Sequence, residues 1–299
     1  MTIPKYKILS ILFAVSILLG LTLVGCGPKK EDKLRISTNP WIGYTPLAYA
    51  ETKGWFENTN ISLIWTVSLG ENISLFANGR THGFTATQYE ALQFKNNPNL
   101  KPYLLIDRSN GADTIHSNID IEAMKKQSKQ IDTYFEINSV NDDLFAAFLE
   151  KHNLSKENFK IHHADQGKIS SIAADKTPIL LISYEPYASA IEKKGFKKID
   201  STKTIEKIHI IDALFLDEKV AKEREKDIKQ LKEIFERAKK ALKDNPKEYY
   251  GAVKGYLQGQ SYEEFLASLS QIEWVESGEQ NKKLSEYLKR QGIDSNNIR

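Results

Sequence analysis

From Leu34 onward the chain alternates short apolar runs with longer amphipathic stretches, and this alternation restricts the folds it can adopt. Runs such as residues 61–67 and 179–183 have the length of buried strands, and stretches of helical length follow them. Short strands that alternate with helices favour an α/β fold with a largely parallel sheet. The roughly 270 residues after residue 25 can form one large domain or two lobes.

After Asp217 the pattern predicts helices alone. The predicted helices cover residues 218–243, 246–257, 261–269 and 277–290. Ser261 and Glu264 have the spacing of a capping box at the start of the third. We expect these late helices to pack against the earlier sheet.

Residues 1–25 have the composition of an export signal. Lys5 and Lys7 precede an apolar run that continues almost without interruption to Gly25. A plain N-terminal membrane anchor is the alternative, because a run of this length can just span a bilayer. Export predicts a location outside the cytoplasm.

The apolar run ends at Cys26, the only cysteine of the chain. Leu23-Val24-Gly25-Cys26 looks like a bacterial lipobox, in which the signal is removed and the cysteine is acylated. A lipidated thiol also accounts for a cysteine that has no disulfide partner. We therefore expect a protein anchored to the cell membrane by lipid, facing the periplasm or the cell exterior, with residues 26–33 as a tether.

The charge of the chain argues against nucleic acid as a partner. Removing residues 1–25 takes away two lysines and no acid, so 40 of the 42 basic residues remain against 39 acidic ones. A nucleic-acid-binding protein usually carries a clustered basic excess.

Several motifs, in a fixed order, carry a resemblance to a known family. They are Trp41-Ile42-Gly43-Tyr44-Thr45-Pro46, Gly54-Trp55-Phe56, Ala77-Asn78-Gly79-Arg80, Ser109-Asn110-Gly111-Ala112-Asp113, Tyr184-Glu185-Pro186-Tyr187 and Ile211-Asp212. Together they resemble the substrate-binding proteins of ABC transporters of the nitrate, sulfonate, taurine and thiamine-precursor type. The resemblance covers most of residues 34–275.

Two places depart from the family pattern. Where the family has Gly-Arg-x-Asp, this chain has Gly79-Arg80-Thr81-His82, and the Gly-Lys-x-Asp of the second half reads Asp175-Lys176-Thr177-Pro178. These departures suggest a divergent branch, so the substrates of the family do not transfer directly.

The resemblance implies a two-lobed type II periplasmic-binding-protein fold with a ligand cleft between the lobes. We expect residues 34–110 and 214–299 to form lobe I and residues 111–213 to form lobe II. The stretch 107–113 and the predicted strand 208–215 would cross between the lobes. The implied function is capture of a solute for an ABC import permease.

Strand ends and helix N-termini should face such a cleft. The candidate ligand-binding residues at these places are Trp41, Tyr44, Ser68, Thr85, Thr87, Gln88, Asp107, Asn138, Ser139, Tyr184, Glu185 and Asp212. Several have a structural alternative, because serine and threonine often cap helices and Trp41 can pack under its loop. Asp113 is a candidate for holding the hinge instead.

Aromatic rings together with carboxylates favour a planar, nitrogen-containing ligand, such as a pyrimidine-like thiamine precursor. An oxyanion would need more arginine than these motifs contain, since only Arg80 and Arg108 are near.

We expect no metal site, no cofactor and no enzymatic activity. Adjacent residues of a strand point to opposite faces, so His162 and His163 do not easily bind one ion. Pyrimidine synthases of thiamine biosynthesis resemble the chain in outline, but they use a cysteine-rich motif and act inside the cell. A sensor that docks on a signalling receptor remains an alternative to transport.

Overall fold

The computed structural model describes residues 33–276 and 278–298. The predicted export signal, the lipidation at Cys26 and nearly all of the tether lie outside the described residues. Within them, eleven strands and twelve α-helices build two β-sheets with helices around them. No helix in this part of the chain is long and apolar enough to cross a membrane.

The strands are short, as the apolar runs predict, and are numbered here in chain order. They are β1 (Leu34–Thr38), β2 (Ile61–Trp65), β3 (Gly83–Thr87), β4 (Leu100–Ser109), β5 (Asp113–Ser117), β6 (Ile131–Phe135), β7 (Phe159–His163), β8 (Ile179–Tyr184), β9 (Lys197–Ser201), β10 (Ile211–Asp217) and β11 (Ile272–Trp274).

The helices follow the strands through the first two thirds of the chain and then dominate it. They are α1 (Thr45–Thr52), α2 (Leu69–Ala77), α3 (Gln88–Leu92), α4 (Ile121–Lys125), α5 (Val140–His152), α6 (Gln166–Ser171), α7 (Tyr187–Lys193), α8 (Glu218–Glu223), α9 (Glu225–Asp244), α10 (Pro246–Val253), α11 (Tyr262–Leu269) and α12 (Glu279–Arg290).

The first sheet has the strand order β11-β4-β10-β3-β1-β2, and the second has the order β7-β6-β8-β5-β9. The chain passes from the first sheet to the second between Ser109 and Asp113, and it returns between Ser201 and Ile211. Both lobes of the α/β fold are thus built on a sheet, and the carboxyl ends of β1, β3 and β4 face those of β6 and β8.

Both sheets are mixed, whereas the sequence predicts largely parallel ones. The pairs β1–β2, β1–β3, β6–β7 and β6–β8 are parallel, but β5 and β10 run antiparallel to both of their neighbours. These two strands directly follow the passages between the sheets. Because no helical crossover precedes them, they enter the sheet in the opposite direction.

The prediction of helices alone after Asp217 is wrong in two places. The first predicted helix is divided at Arg224, whose φ of −119° and ψ of 28° are not helical. Its first part contacts β10 and its second part packs on α1. The other place is β11, which pairs with β4 but is too short to show an alternating pattern. The predicted capping box of Ser261 and Glu264 is confirmed.

Aromatic and aliphatic side chains fill the space between each sheet and its helices. Phe84 and Phe215 stack in the first sheet with ring centroids 5.6 Å apart, and Phe135 packs on Phe145 in the second. Each such side chain stabilises the fold by about 1.5–3 kcal/mol through burial. The buried polar groups described next lie at the ends of the strands, outside this apolar packing.

Candidate functional site

Polar strand ends of the first sheet meet at its edge toward the second sheet. Asp212, at the start of β10, pairs with Thr87 at the end of β3 on one side and with Asp107 of β4 on the other. Like charges directly opposite each other on neighbouring strands destabilise a sheet. The register therefore places two carboxylates side by side, an arrangement that does not stabilise the sheet.

A small cavity of about 10 Å³ lies between the two sheets. This volume is close to the space that one water molecule needs. Its lining comes from both sheets and from the helices that follow their strands: Asn39, Trp41, Tyr44, Leu69, Thr87, Asp113, Val140, Tyr184 and Asp212. The two lobes are closed on each other, so a larger ligand needs them to separate.

Trp41 and Tyr44 lie on the loop that connects β1 to α1, and both are buried. The Trp41 Nε1–H donates to Asp107 Oδ2 at 3.1 Å, and the Tyr44 hydroxyl donates to Asp212 Oδ1. The Trp41 ring also packs edge-on against Tyr184 of the second sheet, with centroids 5.9 Å apart. Both side chains line the cavity, including Trp41, for which packing under the loop was the alternative.

Gly43 allows this loop to approach the carboxylates. A Cβ at this position would lie 1.8 Å from Asp107 Oδ2 and 2.6 Å from Trp41 Nε1. Only glycine therefore leaves the hydrogen bond between these two side chains intact. The Trp-x-Gly-Tyr pattern has a steric reason in this structure.

Two buried aspartates, Asp113 and Asp212, line the cavity, and a third, Asp107, lies beside Asp212 on the neighbouring strand. Burial raises the pKa of Asp107 to about 8 and that of Asp113 to about 7, against the hydrogen bond from Trp41 in the first case and that with Ser109 in the second. Burial and the nearby charge of Asp107 hold the pKa of Asp212 well above its usual range. At neutral pH these acids are partly protonated, and a positively charged group in the cleft would favour release of those protons.

Two glutamates that the sequence analysis did not select reach across the cleft in opposite directions. Glu90, in α3 beside the first sheet, accepts at Oε1 from the backbone N–H of Val140 at 2.6 Å, the first residue of α5. Glu136, after β6 of the second sheet, accepts at Oε2 from the backbone N–H of Leu69 at 3.4 Å, the first residue of α2. Each lobe thus caps a helix N-terminus of the other.

Burial also raises the pKa of these glutamates, to about 7 for Glu90 and about 8 for Glu136. Glu90 completes a capping box with Thr87, and that spacing was the sequence signal that could have identified it. Nothing in the local sequence distinguishes Glu136 from a surface acid.

Two buried asparagines were also missed by sequence reasoning: Asn39, which lines the cavity, and Asn72, which contacts Asn39. Asn39 Nδ2 donates to the Tyr184 hydroxyl at 3.3 Å, and Asn72 Nδ2 donates to the backbone oxygen of Thr85 at 2.5 Å. The two side chains also contact each other through a 3.4 Å hydrogen bond. Asn39 directly follows β1, and Asn72 lies in the first turn of α2.

Some predicted site residues cap helices or hold strands rather than line the cavity. Ser68 and Ser139 accept from backbone N–H groups at the starts of α2 and α5. The Thr85 hydroxyl bonds that of Thr38, and Gln88 binds the backbone of Ile211 at the start of β10. These contacts correspond to the capping alternative and to support of the strands.

Glu185 and Asn138 also lie apart from the cavity. Glu185 does not line the cavity, and its Oε2 accepts from Ser189 and from Gln260 Nε2 at 2.9 Å. Asn138 is exposed, with a φ of 53°, and its backbone oxygen accepts from Gln93 across the mouth of the cleft at 2.7 Å.

No group of three or more His, Cys, Asp or Glu side chains in residues 33–276 and 278–298 is arranged to hold a metal ion. His162 bonds Asp132 at 2.6 Å and stacks on Tyr134, while His163 packs against Phe135. The neighbouring histidines thus contact different side chains.

No protein-family model matches the sequence, and no curated protein matches it. Solved structures do match the fold. The ligand-binding component of an ABC-type import system from Staphylococcus aureus, with zinc bound, is 13% identical over 87% of this chain and 92% of its own, with a TM-score of 0.66.

Two further structures extend the comparison. The alkanesulfonate-binding protein SsuA from Xanthomonas axonopodis, bound to MOPS, is 13% identical over 89% of this chain and 96% of its own, with a TM-score of 0.66. The periplasmic nitrate-binding protein NrtA from Synechocystis is 12% identical over 79% of this chain and 69% of its own, with a TM-score of 0.62. At these identities the likeness shows the two-lobed periplasmic-binding-protein fold.

Proposed function

We propose that this protein is an extracytoplasmic solute-binding lipoprotein that captures a small molecule between its lobes and delivers it to an ABC import permease. The observation that carries the proposal is the cavity, to which both lobes contribute aromatic rings and buried polar side chains. The contacts here are those of a binding cleft, and the structural neighbours include binding proteins of ABC importers.

The passages between the sheets supply the hinge. The Thr202 hydroxyl bonds the Ser109 hydroxyl at 2.8 Å and accepts from the Gly111 backbone N–H at 2.8 Å, so the two passages are joined. Gly111, with a φ of 117°, provides backbone freedom at the first passage. In this proposal lobe I comprises residues 34–110 and 214–299, lobe II comprises residues 111–213, and they rotate about this point.

Anchoring by lipid at Cys26 would keep the protein beside the permease. The support is the lipobox-like sequence and the tether of residues 26–33 before the compact unit that begins at Leu34. Mass spectrometry of the chain from membranes should give an N-terminus at Cys26 that carries a diacylglyceryl group. An unmodified Cys26 would remove the anchor from the proposal and leave the binding role.

We place the solute among planar, nitrogen-containing compounds of the thiamine-precursor kind. Trp41, Tyr44 and Tyr184 offer ring surfaces at the cavity, and hydrogen-bond acceptors surround them. Arg108 forms a two-point ion pair with Glu273, and Arg80 is exposed, so neither arginine is positioned to bind an oxyanion.

Native mass spectrometry of the full chain, solubilised from membranes in mild detergent, tests the binding role. We expect a small molecule bound in a one-to-one ratio that is released on denaturation. Absence of any such molecule, together with no thermal stabilisation by pyrimidines, amines, sulfonates or nitrate, would contradict the proposal.

A further inference from the structure

The buried acids around the cavity retain oxygens that no group of the protein satisfies. The carboxylate oxygens without a hydrogen-bond partner in the described part of the chain are Asp107 Oδ1, Asp113 Oδ2, Asp212 Oδ2 and Glu136 Oε1. Leaving a buried acceptor unpaired costs about 1–3 kcal/mol, and more for a charged group. Asp113 and Asp212 line the cavity, and Asp107 pairs with Asp212 on the adjacent strand, so the unpaired oxygens of these three aspartates need an explanation outside the folded chain itself.

The protein offers these acids little positive charge. No lysine or arginine in residues 33–276 and 278–298 is buried. Lys239 is the cation that acts on Asp107, but its Nζ is bound to Glu236 at 3.1 Å and to the Val275 oxygen at 3.4 Å. The groups that face Asp107 and Asp212 directly are Trp41, Tyr44 and the other acids, which supply one hydrogen bond to each of the two aspartates.

Unpartnered acceptors without a local cation describe a site for a ligand that donates hydrogen bonds and carries positive charge. Asn72 Oδ1, also buried and unpartnered, adds a neutral acceptor to the set. The rings of Trp41 and Tyr184 at the cavity suit a planar cation, which aromatic groups attract electrostatically.

Building on the binding role proposed above, we propose that the solute is a planar organic cation with several N–H donors, such as an amidinium or a guanidinium compound. Two or more of its nitrogens contact Asp113 and Asp212, which line the cavity, and Asp107 lies directly behind Trp41. A neutral analogue lacks the charge attraction, and an anion is repelled by the carboxylates of Asp113 and Asp212. The site thus selects by charge first and by shape second.

Binding of such a cation has a consequence for protons. Asp107 and Asp113 have raised pKa values of about 8 and about 7, so part of each population is protonated at pH 7. A bound cation favours the ionised carboxylates and therefore releases protons to the buffer. A neutral ligand can bind while the acids stay protonated, and its binding then releases no protons.

The test uses the full chain in mild detergent, stripped of any co-purified ligand by urea and refolded, because guanidinium is itself a candidate. Two matched sets of probes are titrated calorimetrically at pH 7: benzamidine, benzamide and benzoate, and acetamidine, acetamide and acetate. We expect the cation of at least one set to bind about 100-fold more tightly than its neutral partner, with release of protons measured in phosphate and in Tris.

The matched variants are Asp212→Asn, in the cavity, and Asp200→Asn, a buried acid elsewhere in the second sheet. The first should lose the preference for the cation, and the second should keep it. Loss of the preference in both, or in neither, would overturn the assignment of charge selection to the cleft.

Other results of these titrations also support or overturn the proposal of a cationic solute. A neutral or anionic probe that binds as tightly as its cation, or zinc chloride that stabilises the protein more than any organic cation, overturns the inference. If no probe binds, the compound found by native mass spectrometry decides: a cation supports the inference, and a neutral or anionic compound overturns it while the binding role stands. No bound compound and no binding probe contradict both proposals.

Discussion

Two groups of buried acids in this protein have opposite surroundings. Asp200, in β9 of the second sheet, accepts from Lys151 at 2.9 Å and from His152 at 2.6 Å, and Thr204 also donates to it. Burial would raise its pKa, but these hydrogen bonds together hold the pKa below its usual value. The aspartates of the cleft have single donors and raised pKa values.

The difference separates two uses of a buried carboxylate. Asp200 is compensated by the protein and therefore stabilises the connection between β9 and the helix that carries Lys151 and His152. The cleft acids lack such partners, which lowers the stability of the fold unless a ligand supplies hydrogen bonds or positive charge. Uncompensated charge in a cleft is typical of functional sites.

The largest effect is expected when the cleft is made to resemble a neutral core. Asp107→Asn combined with Asp212→Asn removes two buried carboxyl groups that accept only one hydrogen bond each, from Trp41 and from Tyr44. We expect affinity for the bound cation to fall about 100-fold, which corresponds to about 2.7 kcal/mol, while urea denaturation shows a ligand-free protein at least as stable as wild type. A clear loss of stability would mean that these acids are structural, as Asp200 is.

The reverse change in the compensated group should affect stability alone. Asp200→Asn removes the acceptor charge for Lys151 and His152, so we expect the free energy of unfolding to fall by about 1–3 kcal/mol. Calorimetric titration should give unchanged ligand affinity. An unchanged urea midpoint would show that the partners of Asp200 contribute nothing net.

The pH dependence of stability distinguishes the groups by sign. A carboxyl whose pKa is raised by folding binds protons more tightly in the folded protein than in the unfolded chain. Its contribution to the free energy of unfolding is therefore complete below about pH 4 and is lost as pH rises through the folded-state pKa. For Asp107 and Glu136 that pKa is about 8, and for Asp113 and Glu90 it is about 7. Ligand-free protein should therefore lose stability between about pH 4 and pH 8.

Urea denaturation across this range, on wild type and on Asp107→Asn, is the measurement. The variant should lose less stability with rising pH, by up to about 1.4 kcal/mol per pH unit for the one proton removed. Parallel curves for the two proteins would mean that Asp107 does not titrate in this range.

The smallest effect is expected at the contacts across the cleft. Glu136→Gln keeps an oxygen that can accept from the Leu69 N–H, so the bridge between the lobes persists without its charge. We expect ligand affinity to change less than about threefold if the bridge serves closure. A loss as large as that of the double aspartate variant would place Glu136 among the groups that bind the cation.

Several of the candidate residues selected from the sequence lie at the cavity. Trp41, Tyr44, Thr87, Tyr184 and Asp212 lie at the cavity because strand ends and the loops after them face the cleft in an α/β fold. Serines at helix starts have a capping role that local sequence equally predicts, and Ser68 and Ser139 have it here. Sequence could not separate these two uses, because both place a hydroxyl at a helix N-terminus.

The residues that were missed depend on contacts between distant parts of the chain. Glu136 is buried because α2 of the other lobe packs over it, and Asn72 is buried because β3 accepts its side-chain N–H. The three-residue strand β11 forms because Ile272 pairs with Ser109 of β4. No window of neighbouring residues contains these partners.

The sequence by itself therefore determined the short strands, the α/β class, the capping box at Ser261 and the collection of aromatics and acids at strand ends. Only the tertiary structure decided which acids receive partners. Hydrogen bonds compensate Asp200 because the fold brings Lys151 and His152, at the end of α5, to β9, while Asp107 and Asp212 face each other on adjacent strands. Solvation and charge pairing depend on distances in space, which the order of residues along the chain does not specify.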